Sequence, residues 1–174
     1  VGKVEGSLFH DTTTSTKVHG KERSGTKETL QGLMEYYDVL YPDDGNPPKP
    51  LTAAQLANGK AENDAALDAF YSKKDYPGSD EMKKKMWEES RRRAEKQYDR
   101  GGGHPTGSLA KKAETRDEAI ARAQLYHYNM WVVTMIHNHP TKGLKSQAFA
   151  NSDHHYRVKP DTGGEEFTIE RKHT

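Results

Sequence analysis

The sequence predicts a mainly α fold: several helices joined by Pro- and Gly-rich connectors, with a small C-terminal β-hairpin, extended rather than compact. Three observations carry this. Apolar residues recur at i, i+3 and i+4 in several stretches. Two Thr-x-x-Glu/Gln patterns, Thr52 with Gln55 and Thr115 with Glu118, mark helix starts. Large aliphatics are scarce: Leu, Ile, Val and Phe together supply 24 of 174 residues. That is below the roughly 20% at which chains usually sustain a core of their own.

Residues 1–25 read as an extended polar arm, with Val4, Leu8, Phe9 and Val18 as isolated apolar points. From Thr26, a plausible N-cap, Leu30, Leu33, Met34, Tyr37 and Leu40 share one helical face. The helical segment 26–100 is interrupted at 41–50, "YPDDGNPPKP", where four prolines and a glycine stop a helix and form a stiff connector. Thr52 then opens a short helix for which Gly59 is the expected C′ residue. A second start at Asn63 puts Ala66, Leu67, Phe70 and Tyr71 on one face. Ser79 caps a long charged helix with a narrow stripe of Met82, Met86, Ser90, Ala94 and Tyr98, and Trp87 beside it. Glu81–Lys85, Glu88–Arg92 and Glu89–Arg93 are i,i+4 pairs in the favourable order. Such a helix is expected to stand clear of the core or to bridge parts of an assembly.

Residues 101–114 begin with "GGGHPTGS" and are expected to be a flexible hinge. The glycine spacing matches neither the Walker A nor the dinucleotide fingerprint. In 115–174 a helix opening at Thr115 becomes apolar almost all round from Leu125 to Ile136, the expected centre of the core. The tail changes period. Tyr156 and Val158 alternate, then Phe167 and Ile169, around a Pro-Asp-Thr-Gly-Gly turn, which is the hairpin signal.

Composition narrows the function classes. With 27 basic against 26 acidic residues the net charge is +1, so a dedicated nucleic-acid binder is not expected. Cysteine is absent, which removes disulfides and thiolate metal sites. No apolar run reaches a membrane span. Localisation is open, with an intracellular or organellar setting favoured. The Tyr, Trp, Met and Arg content suits burial against a partner.

The one motif with chemical content is "MWVVTMIHNHP", residues 130–140. On a strand, His137 and His139 would point to the same side and could share a metal ion. On a helix they would sit about 200° apart and could not. The strand reading resembles the metal-binding motif of JAMM-type zinc peptidases, and the resemblance implies His137 and His139 as zinc ligands in a metal-dependent hydrolase. It covers about ten residues. That family's Ser-x-x-Asp is not matched here, since Ser146 is followed by Gln147, Ala148 and Phe149 and the next acid is Asp153. The helix reading rests on the Thr115 box and on Pro140, which disfavours helical geometry at His139.

The resulting expectation is a non-catalytic accessory, linker or scaffold subunit that binds along a larger protein assembly and stabilises it, with no cofactor. Tyr36, Tyr37, Trp87, Tyr126, Tyr128 and Trp131 are its interface candidates. Two alternatives stand: a zinc hydrolase using His137 and His139, and a weak nucleic-acid-binding module using residues 83–96.

Overall fold

The computed structural model describes residues 14–42, 45–46, 49–71, 79–100, 115–139, 142–143, 154–158 and 167–171. The described elements are β1 (Ser15–Val18), β2 (Lys21–Ser24), α1 (Gly25–Leu40), α2 (Ala53–Phe70), α3 (Ser79–Asp99), α4 (Arg116–His137), β3 (His154–Val158) and β4 (Phe167–Arg171). The protein is mainly helical, with an antiparallel two-stranded hairpin near its N-terminus. The expected hinge at 101–114 lies outside the described residues.

Local chemistry explains both predicted capping boxes. Thr52 Oγ1 accepts from Gln55 N at 3.0 Å while Gln55 Oε1 accepts from Thr52 N at 2.9 Å. Thr115 and Glu118 repeat the exchange at 3.2 and 3.0 Å. Each box satisfies orphan N–H groups of the first turn, which fixes where the helix starts.

The helices do not lie extended. α1, α2 and α3 pack around α4, and one core joins Leu30, Leu33 and Tyr37 of α1 to Leu67 and Phe70 of α2 and to Leu125, Tyr128 and Val132 of α4. The expectation of an extended shape is corrected here. A count of Leu, Ile, Val and Phe understates the available volume, because four tyrosines, Tyr36, Tyr37, Tyr41 and Tyr128, are buried with them. An aromatic ring buries 150–250 Å² on the usual scale, as much as a large aliphatic or more.

Buried polar groups fill the rest, and most are paired. Asn63 Nδ2 donates to Gly59 O at 2.8 Å, and Asn129 Nδ2 donates to Leu33 O and to Asn63 Oδ1, both at 3.0 Å. Arg122 is 1% exposed and donates to the carbonyls of Leu40 and Lys49.

Three local expectations are corrected. First, Gly59 does not end a helix: α2 runs unbroken through it, and Asn63 is a buried mid-helix residue. A Cβ at position 59 would lie 2.6 Å from Leu125 Cδ2 and 3.3 Å from Tyr36 Cε1. The glycine is there to let α4 and α1 approach. Second, residues 15–24 form a hairpin, not a featureless arm. Thr16 and Val18 face inward in alternation, and the turn is His19–Gly20 with φ +52° and +74°. Both central residues in the left-handed region match the twist that two-residue hairpins need. Third, α3 does not stand clear. Its predicted stripe lies against α4, with Ser90 and Ala94 buried.

At backbone level β3 and β4 pair antiparallel, with Tyr156 opposite Ile169 and Val158 opposite Phe167. The turn expected between them lies outside the described residues. Among the described residues no helix is long and apolar enough to cross a membrane.

Candidate functional site

The apolar run before the two histidines is helix. α4 continues through Ile136 to His137, and Asn138 is its C-cap. The strand reading of residues 130–136 is therefore overturned, for a physical reason: the capping box starts a helix and nothing breaks it for 22 residues.

The chain then enters a turn that consumes the second histidine. His139 N donates to Ile136 O at 3.1 Å, and Gly143 N donates to His139 O at 3.0 Å. Lys142 N donates to His139 Nδ1 at 3.0 Å. An accepting Nδ1 carries no proton, so this ring is neutral with its proton on Nε2. The ring also lies 4.6 Å from that of Tyr71, whose hydroxyl donates to Met135 O at 2.9 Å. Thr26 Oγ1 donates to Lys142 O and ties the turn to α1. A Cβ on Gly143 would overlap the carbonyl oxygens of His137 and His139, so this turn closes only around glycine.

His137 points elsewhere. Its Nδ1 donates to Asn138 Oδ1 at 3.2 Å, and burial pulls its pKa below the ordinary histidine value, with the Asn138 bond opposing. The two imidazoles thus have different hydrogen-bond partners. Ligation through His139 Nε2 would require moving its proton to Nδ1 and giving up the Lys142 bond. Among the described residues no group of three or more His, Cys, Asp or Glu is arranged to hold a metal ion.

The six aromatic interface candidates are drawn into the protein's own packing. Tyr36, Tyr37, Tyr128 and Trp131 are buried, and Trp87 and Tyr126 are partly buried against the same core. Tyr37, Tyr41 and Tyr126 form a triangle of rings with centroids 5.5–6.0 Å apart. Burial raises the Tyr126 pKa well above the phenol value, helped by the two neighbouring tyrosines. Trp87, Tyr128 and Trp131 form a second chain, at 5.2 and 5.7 Å. Tyr36 stacks on His19 at 4.1 Å and donates its hydroxyl to Glu62, which also accepts His19 N at 2.8 Å. The glutamate thus pins the hairpin turn to α1 and α2. Sequence spacing carried no sign of which surface these rings would meet.

Where α3 meets α4, Gln124 Nε2 donates to Trp87 O at 3.0 Å and His127 Nε2 donates to Gln97 Oε1 at 2.9 Å. Burial and, after it, the Arg93 charge lower the His127 pKa to about 4, so the ring is neutral at pH 7.

The flank of α3 beside this contact is partly exposed. Lys85, Met86, Glu88, Glu89, Arg92 and Arg93 line a groove of about 530 Å³. Glu89 is shared between Arg92 and Arg93, the latter at 3.4 Å, and Lys85 meets Glu81 at 3.8 Å. The expected Glu88–Arg92 pair gives way to the i,i+3 contact with Glu89. Lys85 and Arg92 have side chains 74% and 76% exposed. Residues 83–96 thus carry their cations largely in intrahelical pairs, including Arg91–Glu95 at 3.3 Å.

No protein family, no curated protein and no solved structure matches this chain.

Proposed function

We propose that this chain is a non-catalytic accessory subunit, a linker or scaffold that binds along a larger protein assembly and stabilises it, with the charged flank of α3 as its contact surface. The observation that carries this reading is the groove lined by Lys85, Met86, Glu88, Glu89, Arg92 and Arg93. The adjoining side of α3 is fastened to α4 by Gln124 and His127, so the groove is presented on a held element. Mixed charge around a thioether suits a protein partner. The charges set orientation and association rate, and methionine adapts to irregular surfaces. The fitting partner surface is a helix or strand with carboxylates opposite Arg92 and Arg93. The C-terminal hairpin would be a second tie-point.

Among the described residues, three side chains suited to acid–base work are engaged in holding the fold, which supports the non-catalytic reading. His139 closes the turn, His127 meets Gln97, and Glu62 pins the hairpin.

The test is native mass spectrometry and cross-linking of endogenous material, comparing wild type with Arg92→Glu/Arg93→Glu. A protein partner that co-purifies with wild type and falls at least ten-fold in the double variant, at unchanged melting temperature, is the expected result. Equal recovery of protein partners, or retention of nucleic acid with strong salt dependence in their place, would overturn it.

A further inference from the structure

We propose that Trp87, Tyr128 and Asp64 form an ammonium-recognition site, occupied here by the chain's own Lys60 and open to an alkylated ammonium group from outside. The walls come from three helices. Lys60 and Asp64 lie one turn apart on α2, Trp87 is on α3 and Tyr128 is on α4. The Trp87 and Tyr128 rings stand nearly perpendicular, at 85°, with centroids 5.2 Å apart. Lys60 Nζ sits 5.5 Å from the Trp87 ring centre and 5.8 Å from that of Tyr128. It also meets Asp64 Oδ2 at 2.8 Å.

Two aromatic rings at right angles with a carboxylate beside them suit quaternary and methylated ammonium groups. The ring quadrupoles attract positive charge without needing an N–H donor, and the carboxylate supplies the net countercharge. The walls are held before any guest arrives. Tyr128 donates its hydroxyl to Asp64, which orients the carboxylate, and the Trp87 backbone is held by Gln124 at 3.0 Å.

A lysine–aspartate pair needs no aromatic walls, and Lys83 illustrates the simpler case. Lys83 meets Asp68 at 2.7 Å and Asp80 at 3.4 Å, with its side chain 11% exposed. Lys60 differs in its two rings and in remaining 33% exposed, so the site faces solvent. Taking Lys60 away would leave the Asp64 carboxylate, 23% exposed, beside two ring faces without its contacting cation, while Lys83, held by Asp68 and Asp80, still acts on it beyond contact distance. Such a site has an electrostatic reason to accept a cation. In wild type the tethered lysine competes, and the apparent affinity falls by the fraction of time the site is vacant. The site uses different residues from the α3 groove, so it stands or falls separately from the assembly reading.

The test titrates tetramethylammonium, choline and Nε-trimethyllysine against wild type and Lys60→Ala, followed by tryptophan fluorescence, with folding checked by circular dichroism. Saturable binding to Lys60→Ala at least ten-fold tighter than to wild type is expected. Adding Asp64→Asn should weaken it at least ten-fold, and preference between choline and trimethyllysine identifies the natural source. A folded Lys60→Ala without saturable binding, or binding indifferent to Asp64→Asn, would refute the proposal. If Lys60→Ala does not fold, Lys60→Ser is read by the same criteria. In wild type, tetramethylammonium but not sodium at equal ionic strength should shift the Lys60 Cε resonance. An unmoved resonance also refutes the proposal.

Discussion

Arg122, in the second turn of α4, donates its guanidinium to the carbonyl oxygen of Leu40, the last residue of α1. The same side chain donates to Lys49 O, on the far side of the Pro-rich connector. One buried cation therefore caps α1 and holds both ends of residues 41–50. Carbonyl acceptors at a helix C-terminus suit a positive group, because the helix dipole is negative there.

Arg122→Ala should therefore destabilise the protein by about 3 kcal/mol, the upper scale for hydrogen bonds from a charged group. It should also speed hydrogen exchange at the amides of Tyr41 and Leu51. Urea unfolding and native-state exchange measure the two effects. Wild-type exchange at both positions would show that the connector is held by something else.

Gly59→Ala should cost stability even though alanine is the better helix former. The propensity gain is about 1 kcal/mol. Overpacking against Leu125 opposes it by roughly 1–3 kcal/mol. A net loss near 1 kcal/mol is expected, and Gly59→Ala combined with Leu125→Ala should lose less than the sum of the two single changes. A double-mutant cycle by thermal unfolding decides this.

Acid should weaken the fold through His127. Its pKa is lowered from 6.5 to about 4, so between those values the unfolded chain takes up a proton that the folded chain refuses. Stability is then full above pH 6.5 and falls as pH drops toward 4, by roughly 3 kcal/mol for this one group. His19 and His137, also lowered chiefly by burial, act in the same direction below 6.5. Chemical denaturation at several pH values should show a shallower slope for His127→Gln than for wild type. Equal slopes would remove His127 from the account.

Gly143→Ala should open the turn after α4, because the new methyl meets backbone carbonyls that cannot swing aside. His139→Ala should be milder, by about 1 kcal/mol, since it removes one hydrogen bond and a ring contact. Zinc content of the purified protein should be the same in wild type and His139→Ala. Stoichiometric zinc that is lost in the variant would restore the hydrolase reading.

Local rules were enough for α4 and for the start of α2. Thr115–Glu118 and Thr52–Gln55 act across three residues, and such an exchange needs no tertiary partner. The stripe of α3 was legible for the same reason, as its period belongs to the helix itself. Gly59 was misread because a glycine that ends a helix and a glycine that admits a neighbouring helix look alike in one dimension. His19–Gly20 lacks the usual Asn-Gly signature, and its strain is borne by Glu62 and Tyr36, some 43 and 17 positions away in sequence.

Sequence alone determined that the chain is mainly helical, where the two helices opened by capping boxes begin, and that an apolar centre lies at 125–136, because caps and periodicity are set by neighbours within a turn or two. Only the tertiary structure decided that Tyr36, Tyr37, Tyr128 and Trp131 serve the protein's own core, that His139 closes a turn, and that Lys60 sits between two rings. Those outcomes depend on which helix faces meet. That is settled by packing volume and buried hydrogen bonds among residues tens of positions apart.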